Sequence, residues 1–348
     1  MKAAVFRGPR KLELEEVADP RLGPRDILVR VRVTGICGSD LHSFQHGSFV
    51  EPGQVMGHEF SGEVVEVGDA VLGLQTGQRV TAVPLSACGR CPRCLEGHPH
   101  VCETGLSASI GYGLPGAFAE LVLVPEAVVG GNVHLLPPTV SDVAGALVEP
   151  MSVALHAARM AAPGPTDTCV VLGLGSIGLN VVQMLKTLGA GRVVGVDIAP
   201  TRLALARQLG ADVVVDGRDG DVLAAVRKLT GPGAYDVGAR ADVVVEASGV
   251  PALLAAAVAM TRTKGKLRIA ALYEGAVPLD ANLIVQKELD VSGTFAYHGE
   301  FGQVVALLEA GRVAAEPIVT HTFALDDIDD AFQAQLDKDT SLKVQVIP

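Results

Sequence analysis

The chain has 348 residues, 49% hydrophobic and 19% charged, and a formal net charge of −11. This composition is typical of a globular protein of about two domains with a large core, and it excludes an intrinsically disordered chain. The acidic charge argues against nucleic acid or an anionic membrane as a partner, and no stretch approaches the roughly 18 apolar residues of a membrane span. The N-terminus lacks the apolar core of a signal peptide, so we expect a cytoplasmic protein.

The first 150 or so residues predict short strands separated by Gly, Pro and Asp. These strands cover residues 13–16, 27–33, 62–67 and 79–83. Frequent glycine is typical of strands that turn corners in an irregular barrel. Residues 144–161 are rich in alanine and predict a helix that leads into a second region.

That second region alternates strands with helices. The predicted strands are 168–172, 192–196, 213–215, 242–246, 266–271 and 289–293, and the predicted helices are 176–188, 201–209, 221–229 and 251–260. Such alternation indicates a doubly wound α/β domain with a parallel sheet covered on both faces. After residue 295 the sequence predicts a helix at 301–310 and a terminal strand at 342–347. This piece is too short for its own core, so we expect domains at 1–152, 153–294 and 295–348, the last completing the first.

A dinucleotide fingerprint, Gly-Leu-Gly-Ser-Ile-Gly, begins at Gly173, between a predicted strand and a predicted helix. In this pattern the first glycine permits the turn, the second lets the backbone approach the pyrophosphate, and the third allows close packing. Asp197 ends the next strand, 19 residues after Gly178, where a carboxylate binds a ribose and repels a 2′-phosphate. The sequence therefore predicts NAD, and Arg202 is positioned to soften that preference. The candidate cofactor residues are Gly173, Gly175, Ser176, Ile177, Gly178, Asp197 and Arg202.

Four cysteines, Cys88, Cys91, Cys94 and Cys102, are separated by two, two and seven residues. This spacing predicts a closed tetrahedral thiolate site for a structural zinc. An iron–sulfur cluster and unligated thiols are the alternatives, and the fourth-cysteine-proline arrangement of bacterial ferredoxins is absent. With Cys37, five of the six cysteines fall into metal-ligand patterns, which suits a reducing compartment.

A second ligand set is scattered over three segments: Cys37, His58 with Glu59, and Glu149. One thiolate, one imidazole and carboxylates suit a catalytic zinc with an exchangeable position, and ordinary buried residues are the alternative. Ser39 and His42 follow Cys37 closely, and a hydroxyl and an imidazole there can pass a substrate proton to solvent.

The segments GICGSDLH, GHEFSGEVVEVG, GAFAE, LVEPMSVALHA and VLGLGSIG occur, with the four-cysteine loop, in the order seen in zinc-dependent medium-chain alcohol dehydrogenases. The chain resembles this family over essentially its whole length, and Glu149 in LVEP resembles the polyol branch of butanediol and sorbitol dehydrogenases. The resemblance implies a GroES-like catalytic domain with a Rossmann domain, and Cys37 and His58 as zinc ligands. It also implies Glu59 and Glu149 as direct or water-mediated ligands, Ser39 and His42 as a proton relay, Asp40 as support, and a tetramer or dimer.

We therefore expect a zinc-dependent oxidoreductase that moves a hydride between a secondary alcohol, a diol or polyol, and NAD, with two zinc ions per chain. The alternatives are a threonine-type or biosynthetic amino-alcohol or sugar-alcohol dehydrogenase, and a catalytically silent nucleotide-binding protein. A zinc-ribbon nucleic-acid binder is disfavoured by the acidic charge and the lack of a basic patch near the four cysteines.

Overall fold

The computed structural model describes the chain from Met1 to Pro348, apart from the side chain of Tyr235. The chain divides into two compact units. Unit 1 comprises Met1–Glu149 and Tyr297–Pro348, and unit 2 comprises Pro150–Ala296. None of the helices in the described chain is long and apolar enough to cross a membrane.

Unit 1 is built mainly from β-strands. They are β1 (Lys2–Gly8), β2 (Lys11–Glu16), β3 (Ile27–Gly35), β4 (Glu59–Val67), β5 (Arg79–Ala82), β6 (Leu121–Val124), β7 (Val133–Leu135), β14 (Val319–Ala324) and β15 (Lys343–Ile347). Its helices are α1 (Gly38–His46), α2 (Pro92–Leu95), α3 (Asp142–Ala146), α10 (Phe301–Glu309) and α11 (Ile328–Leu336). The seven-stranded sheet has the order β14-β15-β3-β4-β5-β7, with β6 also paired to β3. The C-terminal strand β15 thus pairs with β3 from the start of the chain.

Two large apolar clusters and a smaller one around Val5 and Val55 hold unit 1 together. One packs between the strands around Ile27, Val29 and Phe60. The other joins α11 to the N-terminal segments, where the rings of Phe44 and Phe332 lie 5.0 Å apart. The second cluster explains why the C-terminal segment belongs to this unit, since α11 needs that apolar surface to cover its own buried face.

Unit 2 holds the predicted doubly wound sheet. Its strands are β8 (Thr168–Leu172), β9 (Arg192–Asp197), β10 (Val213–Asp216), β11 (Ala241–Glu246), β12 (Thr261–Ile269) and β13 (Asp290–Gly293). Its helices are α5 (Ser176–Thr187), α6 (Pro200–Gln208), α7 (Val222–Thr230), α8 (Pro251–Met260) and α9 (Ala281–Lys287). All pairs are parallel, in the order β10-β9-β8-β11-β12-β13. The predicted α/β class, a β-rich domain with a doubly wound one, is confirmed.

The predicted single helix over residues 144–161 is interrupted. The structure has α3, ending at Ala146, and then α4 (Val148–Ala161), with Leu147 between them. Pro150 accounts for the break, because proline lacks an N–H and its ring collides with the carbonyl four residues earlier, here that of Ala146. Restarting the helix at Val148 places Pro150 in the first turn, where no such bond is needed.

Candidate active site, zinc sites and dinucleotide loop

The scattered ligand set is brought together inside unit 1. Cys37 precedes α1, and His58 and Glu59 lie where β4 begins. Their candidate ligand atoms all lie within 4.8 Å of one another, and His58 and Glu59 are buried. Gly35, the last residue of β3, makes room for them, because a Cβ there would lie 2.3 Å from Glu59 Oε2. The donor set, one thiolate, one imidazole and one carboxylate, fits a zinc ion with room for an exchangeable ligand.

Asp40 supports this cluster from the first turn of α1. Its Oδ2 accepts a hydrogen bond of 2.9 Å from the backbone N–H of Cys37, and its Oδ1 lies 3.6 Å from Nδ1 of His58. Because Asp40 faces Nδ1, we infer that Nε2 is the nitrogen available to a metal. Burial lowers the pKa of His58, but interactions with Tyr112 and Asp40 outweigh burial and raise that pKa well above its usual value. A proton therefore competes with a metal for this imidazole.

Glu149 is buried in the first turn of α4, 8% exposed, and is not one of the three groups that lie within 4.8 Å of one another. Burial raises the pKa of its carboxyl group to about 7. The nearby negative charge of Glu59 adds to this rise, whereas His58 and Lys343 oppose it. Glu149 is therefore close enough to act on the cluster and is readily protonated near neutral pH.

Sequence reasoning missed Lys343, which neutralises Glu59. Lys343 lies on β15 with 3% of its surface exposed, and its Nζ donates to both carboxylate oxygens of Glu59 at 2.8 and 2.6 Å and to the carbonyl of Ile36 at 2.9 Å. Its sequence signal is a cation at the start of a short strand that is mostly buried, Lys-Val-Gln-Val-Ile. The carboxylate of Glu59 can therefore bind either the ammonium group of Lys343 or a metal ion.

Two tyrosines were also missed. The hydroxyl of Tyr112 is 2.8 Å from Ser39 Oγ, and its ring lies 5.0 Å from that of His58. The hydroxyl of Tyr297 is buried, and burial followed by the charge of Glu149 raises its pKa well above the usual range. His42 lies on α1 one turn beyond Ser39, and its ring is 6.2 Å from that of His46. The structure therefore pairs Ser39 with Tyr112.

The four-cysteine loop folds around a single point. Sulfur–sulfur distances are 3.5 Å for Cys91–Cys94, 3.9 Å for Cys91–Cys102 and 4.0 Å for Cys88–Cys94. Four sulfurs at about 2.3 Å from a tetrahedral zinc are about 3.8 Å apart, so the loop fits that ion. Backbone N–H groups point at two of the sulfurs, and those of Cys88 and Thr104 lower the pKa of Cys102 to about 6. The loop could therefore hold a structural zinc.

The predicted dinucleotide loop connects β8 to α5 in unit 2. Gly173 has a φ of +86°, which favours glycine, and a Cβ at Gly178 would lie 1.8 Å from the carbonyl oxygen of Gly173. A Cβ at Gly175 would meet nothing within 4 Å, and Ser176 Oγ, at the first residue of α5, is buried without a hydrogen-bond partner. Free space and an unsatisfied hydroxyl at a helix N-terminus, next to Ile177, fit a phosphate group.

Asp197 has a second role that sequence reasoning did not predict. Its Oδ2 accepts a hydrogen bond of 2.7 Å from the backbone N–H of Leu174, and its Oδ1 accepts from Ile198 and Ala199 at 2.8 and 2.9 Å. The carboxylate at the end of β9 therefore holds the glycine loop as well as facing the predicted ribose site. Arg202 lies in the first turn of α6 and is partly buried.

Comparison with known proteins agrees with this geometry. Residues 23–137 match the alcohol dehydrogenase GroES-like domain, and residues 176–310 match the zinc-binding dehydrogenase domain. Sorbitol dehydrogenase of Bacillus subtilis (strain 168) is 34% identical over 100% of this chain and 97% of its own length.

Solved structures are equally similar. That of 2R,3R-butanediol dehydrogenase from Bacillus subtilis has a TM-score of 0.88 at 34% identity, covering 100% of this chain and 99% of that chain. A short chain alcohol dehydrogenase from Escherichia coli CFT073, complexed with NADH, has a TM-score of 0.90 at 28% identity with the same coverage. The resemblance seen in the sequence is confirmed, and this chain belongs to the zinc-binding alcohol dehydrogenase family.

Proposed function

We propose that this chain is an NAD-dependent dehydrogenase that oxidises a secondary alcohol of a diol or polyol, and reduces the corresponding ketone, at a zinc held by Cys37 and His58. The observation that carries this proposal is the convergence of Cys37, His58 and Glu59 within 4.8 Å in one buried cluster. The sorbitol and butanediol dehydrogenases it resembles favour a polyol or diol substrate.

The proposed zinc supplies Lewis-acid chemistry that lowers the pKa of an alcohol hydroxyl, and NAD supplies the hydride acceptor. Glu59 or Glu149 completes the ligand set, directly or through water. Lys343 limits the share of Glu59 available to the metal, since it already binds both carboxylate oxygens. Asp40 orients His58, as carboxylates commonly do for ligating histidines.

The chain's own hydroxyls provide a route for the proton. Ser39 Oγ accepts the proton of the substrate hydroxyl as it releases its own proton outward, and Tyr112 holds Ser39 in place through their 2.8 Å hydrogen bond. His42 lies three residues after Ser39, on the same side of α1, and carries the proton outward. The buried carboxylate of Glu149 is a second candidate acceptor, since a bound zinc would displace its proton.

The cofactor preference follows from Asp197. A carboxylate at the end of β9 binds a ribose hydroxyl and repels a 2′-phosphate, which favours NAD over NADP. The loop of Gly173, Gly175 and Gly178, with Ser176 and Ile177, holds the pyrophosphate. A homo-oligomer, tetramer or dimer, in the cytoplasm remains our expectation, and light scattering after size-exclusion chromatography measures the subunit number.

The test is the initial rate of NADH formation by zinc-loaded protein. The substrates are the 2,3-butanediol stereoisomers, sorbitol, xylitol, L-threonine and simple secondary alcohols, each with NAD and NADP. We expect NAD-selective oxidation of a diol or polyol. Selective turnover of L-threonine supports the amino-alcohol alternative instead, and silence over the whole panel in protein that binds NADH supports a narrow biosynthetic substrate or the silent alternative.

Cysteine variants connect that activity to the site. Cys37→Ala should abolish turnover and leave NADH binding largely intact, because Cys37 lies in unit 1 and the dinucleotide loop in unit 2. Cys169→Ala is the matched control, since Cys169 is the one cysteine of the sequence outside both ligand sets and lies in the core of unit 2. Near-normal activity of Cys37→Ala would refute the assignment.

A further inference from the structure

A buried carboxylate lies at the carboxyl end of β11, close to the dinucleotide loop. Glu246 has 0% of its surface exposed and accepts hydrogen bonds from the backbone N–H of Ser248 at 2.9 Å and that of Gly249 at 3.4 Å. The hydroxyls of Ser248 and Tyr273 also donate to it. All four donors are neutral, and burying a carboxylate on such donors alone is costly unless each bond is kept.

These bonds join two neighbouring loops. In the parallel sheet β11 lies between β8 and β12, so the loops that leave the carboxyl ends of these strands are adjacent. Ser248 follows β11 and Tyr273 follows β12, and Glu246 bonds to both. Gly249 packs against the second loop, since a Cβ there would lie 2.9 Å from the carbonyl oxygen of Leu272. The carboxylate therefore fixes the turn after β11 against the loop after β12.

The turn after β11 also packs directly against the dinucleotide loop. A Cβ at Gly173 would lie 2.6 Å from Cα of Ser248 and 2.8 Å from its backbone nitrogen. Ser248 is itself immobilised, because its hydroxyl donates to Glu246 and accepts a hydrogen bond of 3.0 Å from the N–H of Val250. On the opposite side, Asp197 accepts the N–H of Leu174 at 2.7 Å. The glycine loop is thus held between two carboxylates, Asp197 directly and Glu246 through Ser248.

We propose that Glu246 is a positioning residue for the dinucleotide: through Ser248 it fixes the backbone of residues 173–175 in the shape that presents the start of α5 to the cofactor phosphates. The hydroxyl of Tyr273 completes the carboxylate's set of donors. This inference rests on the proposed function as a dinucleotide-dependent dehydrogenase. The proposed role of Glu246 does not involve the substrate chemistry, because all the contacts that support this role lie within unit 2.

The role predicts a specific pattern in cofactor binding. Glu246→Gln keeps the size of the side chain but replaces one acceptor oxygen by a donor NH₂ group, which faces donors. Loss of a hydrogen bond to a charged group corresponds to about tenfold or more in an equilibrium constant, so we expect the Kd for NADH to rise about tenfold. Tyr273→Phe removes one donor and leaves the backbone bonds, so its Kd should rise less, about threefold.

The experiment is isothermal titration of NADH into the full-length, zinc-loaded protein for wild type, Glu246→Gln, Tyr273→Phe and Glu288→Gln. Glu288 is the matched control, because it is an exposed glutamate of unit 2 paired with Lys264. We expect Glu288→Gln to bind NADH as wild type does. Zinc content and kcat at saturating NAD should stay within about twofold of wild type in all three variants, so that the change in Glu246→Gln and Tyr273→Phe appears in KM for NAD.

Two outcomes overturn the inference. The first is a Kd within twofold of wild type in both Glu246→Gln and Tyr273→Phe with only a lower melting temperature, because Glu246 then stabilises unit 2 without positioning the cofactor. The second is equal weakening in Glu288→Gln. If Glu246→Gln does not fold, Tyr273→Phe and Ser248→Ala decide by the same criterion. Wild-type protein that binds NADH but oxidises no alcohol contradicts the proposed function and leaves this comparison valid.

Discussion

Replacing Lys343 by Met should leave the buried carboxylate of Glu59 without its ion-pair partner, beside the proposed zinc site in unit 1. Lys343 is 3% exposed and Glu59 is 1% exposed, and the ammonium group contacts both carboxylate oxygens. Burial lowers the pKa of Lys343, but interactions with Glu59, Cys37 and Glu149 together outweigh burial and raise that pKa above its usual value. Lys343 is therefore charged at neutral pH, and the stabilisation that this shift provides is lost as pH rises through the raised pKa.

The magnitude follows from burial. Removing one partner of a buried ion pair leaves an uncompensated charge and costs about 3–5 kcal/mol. At about 2.1 cal/mol/K of unfolding entropy per residue, this lowers the Tm of a chain of 348 residues by roughly 4–7 °C. Lys264→Met is the matched control, because Lys264 pairs with Glu288 at 2.5 Å but both side chains are about two-thirds exposed. An exposed pair contributes about 0–1 kcal/mol, so that variant should melt within about 2 °C of wild type.

The assay is thermal unfolding followed by circular dichroism, first with chelator and then with added zinc. The drop for Lys343→Met should be largest with chelator, and zinc should recover more stability in this variant than in wild type, because the freed Glu59 is then available to the metal. Adding Glu59→Gln to Lys343→Met should restore most of the loss. The reasoning is refuted if Lys343→Met and Lys264→Met have the same Tm in the presence of chelator. It is also refuted if the double variant, Lys343→Met with Glu59→Gln, is less stable than either single variant.

Three further predictions use the same purified protein. Cys94→Ser should lower Tm by roughly 5 °C or more and leave kcat nearly unchanged, because the four-cysteine loop contributes folding energy rather than chemistry; unchanged melting with full zinc content contradicts this. Asp197→Ala should lower the ratio of kcat/KM with NAD to kcat/KM with NADP about tenfold. It should also weaken the binding of both cofactors, since the carboxylate accepts the backbone N–H of Leu174. An unchanged ratio contradicts the proposed contact of Asp197 with the ribose. In zinc-free protein the pKa of Glu149 is raised from 4.5 to about 7, so between these pH values the folded chain binds a proton that the unfolded chain does not. The free energy of unfolding should therefore fall as pH rises from 4.5 to about 7, and Glu149→Gln should reduce this pH dependence in urea unfolding. The same pH dependence in both proteins would refute the prediction.

The doubly wound half could be predicted from the sequence almost element by element. Strand β8 and helix α8 begin and end at the predicted residues, because a parallel strand buried on both faces is a continuous apolar run and proline marks the first turn of α8. Unit 1 was harder. Helix α1, GSDLHSFQH, has no apolar repeat that predicts a helix, and packing of Phe44 against α11 outweighs its weak propensity.

The candidate site shows the same division between local and distant signals. Cys37, His58 and Glu59 could be proposed because residue type and nearby glycines mark them within short segments. Lys343 could not, because it lies 284 residues from Glu59, and the pairing of β15 with β3 and of β3 with β4 brings them together. Tyr112 likewise follows the four-cysteine loop, and no spacing relates it to Ser39, 73 residues earlier. A metal ligand can therefore be identified from the short sequence segment around it. The residues that set its charge come from distant segments and can be identified only once the strand pairing is known.

That difference bears on how the proposed zinc site works. Cys37, Glu59 and Glu149 are three acidic groups in a buried region, and burying like charges together is unfavourable without compensation. Lys343 pairs directly with Glu59 and, with His58, offsets only part of the rise in the pKa of Glu149, which still lies at about 7, and the pKa of His58 is raised as well. A bound divalent cation removes this conflict and displaces the protons from His58 and Glu149. Metal affinity at this cluster should therefore rise steeply with pH across neutrality, and the strength of that dependence measures how much of the cluster's charge the protein leaves for the metal to neutralise.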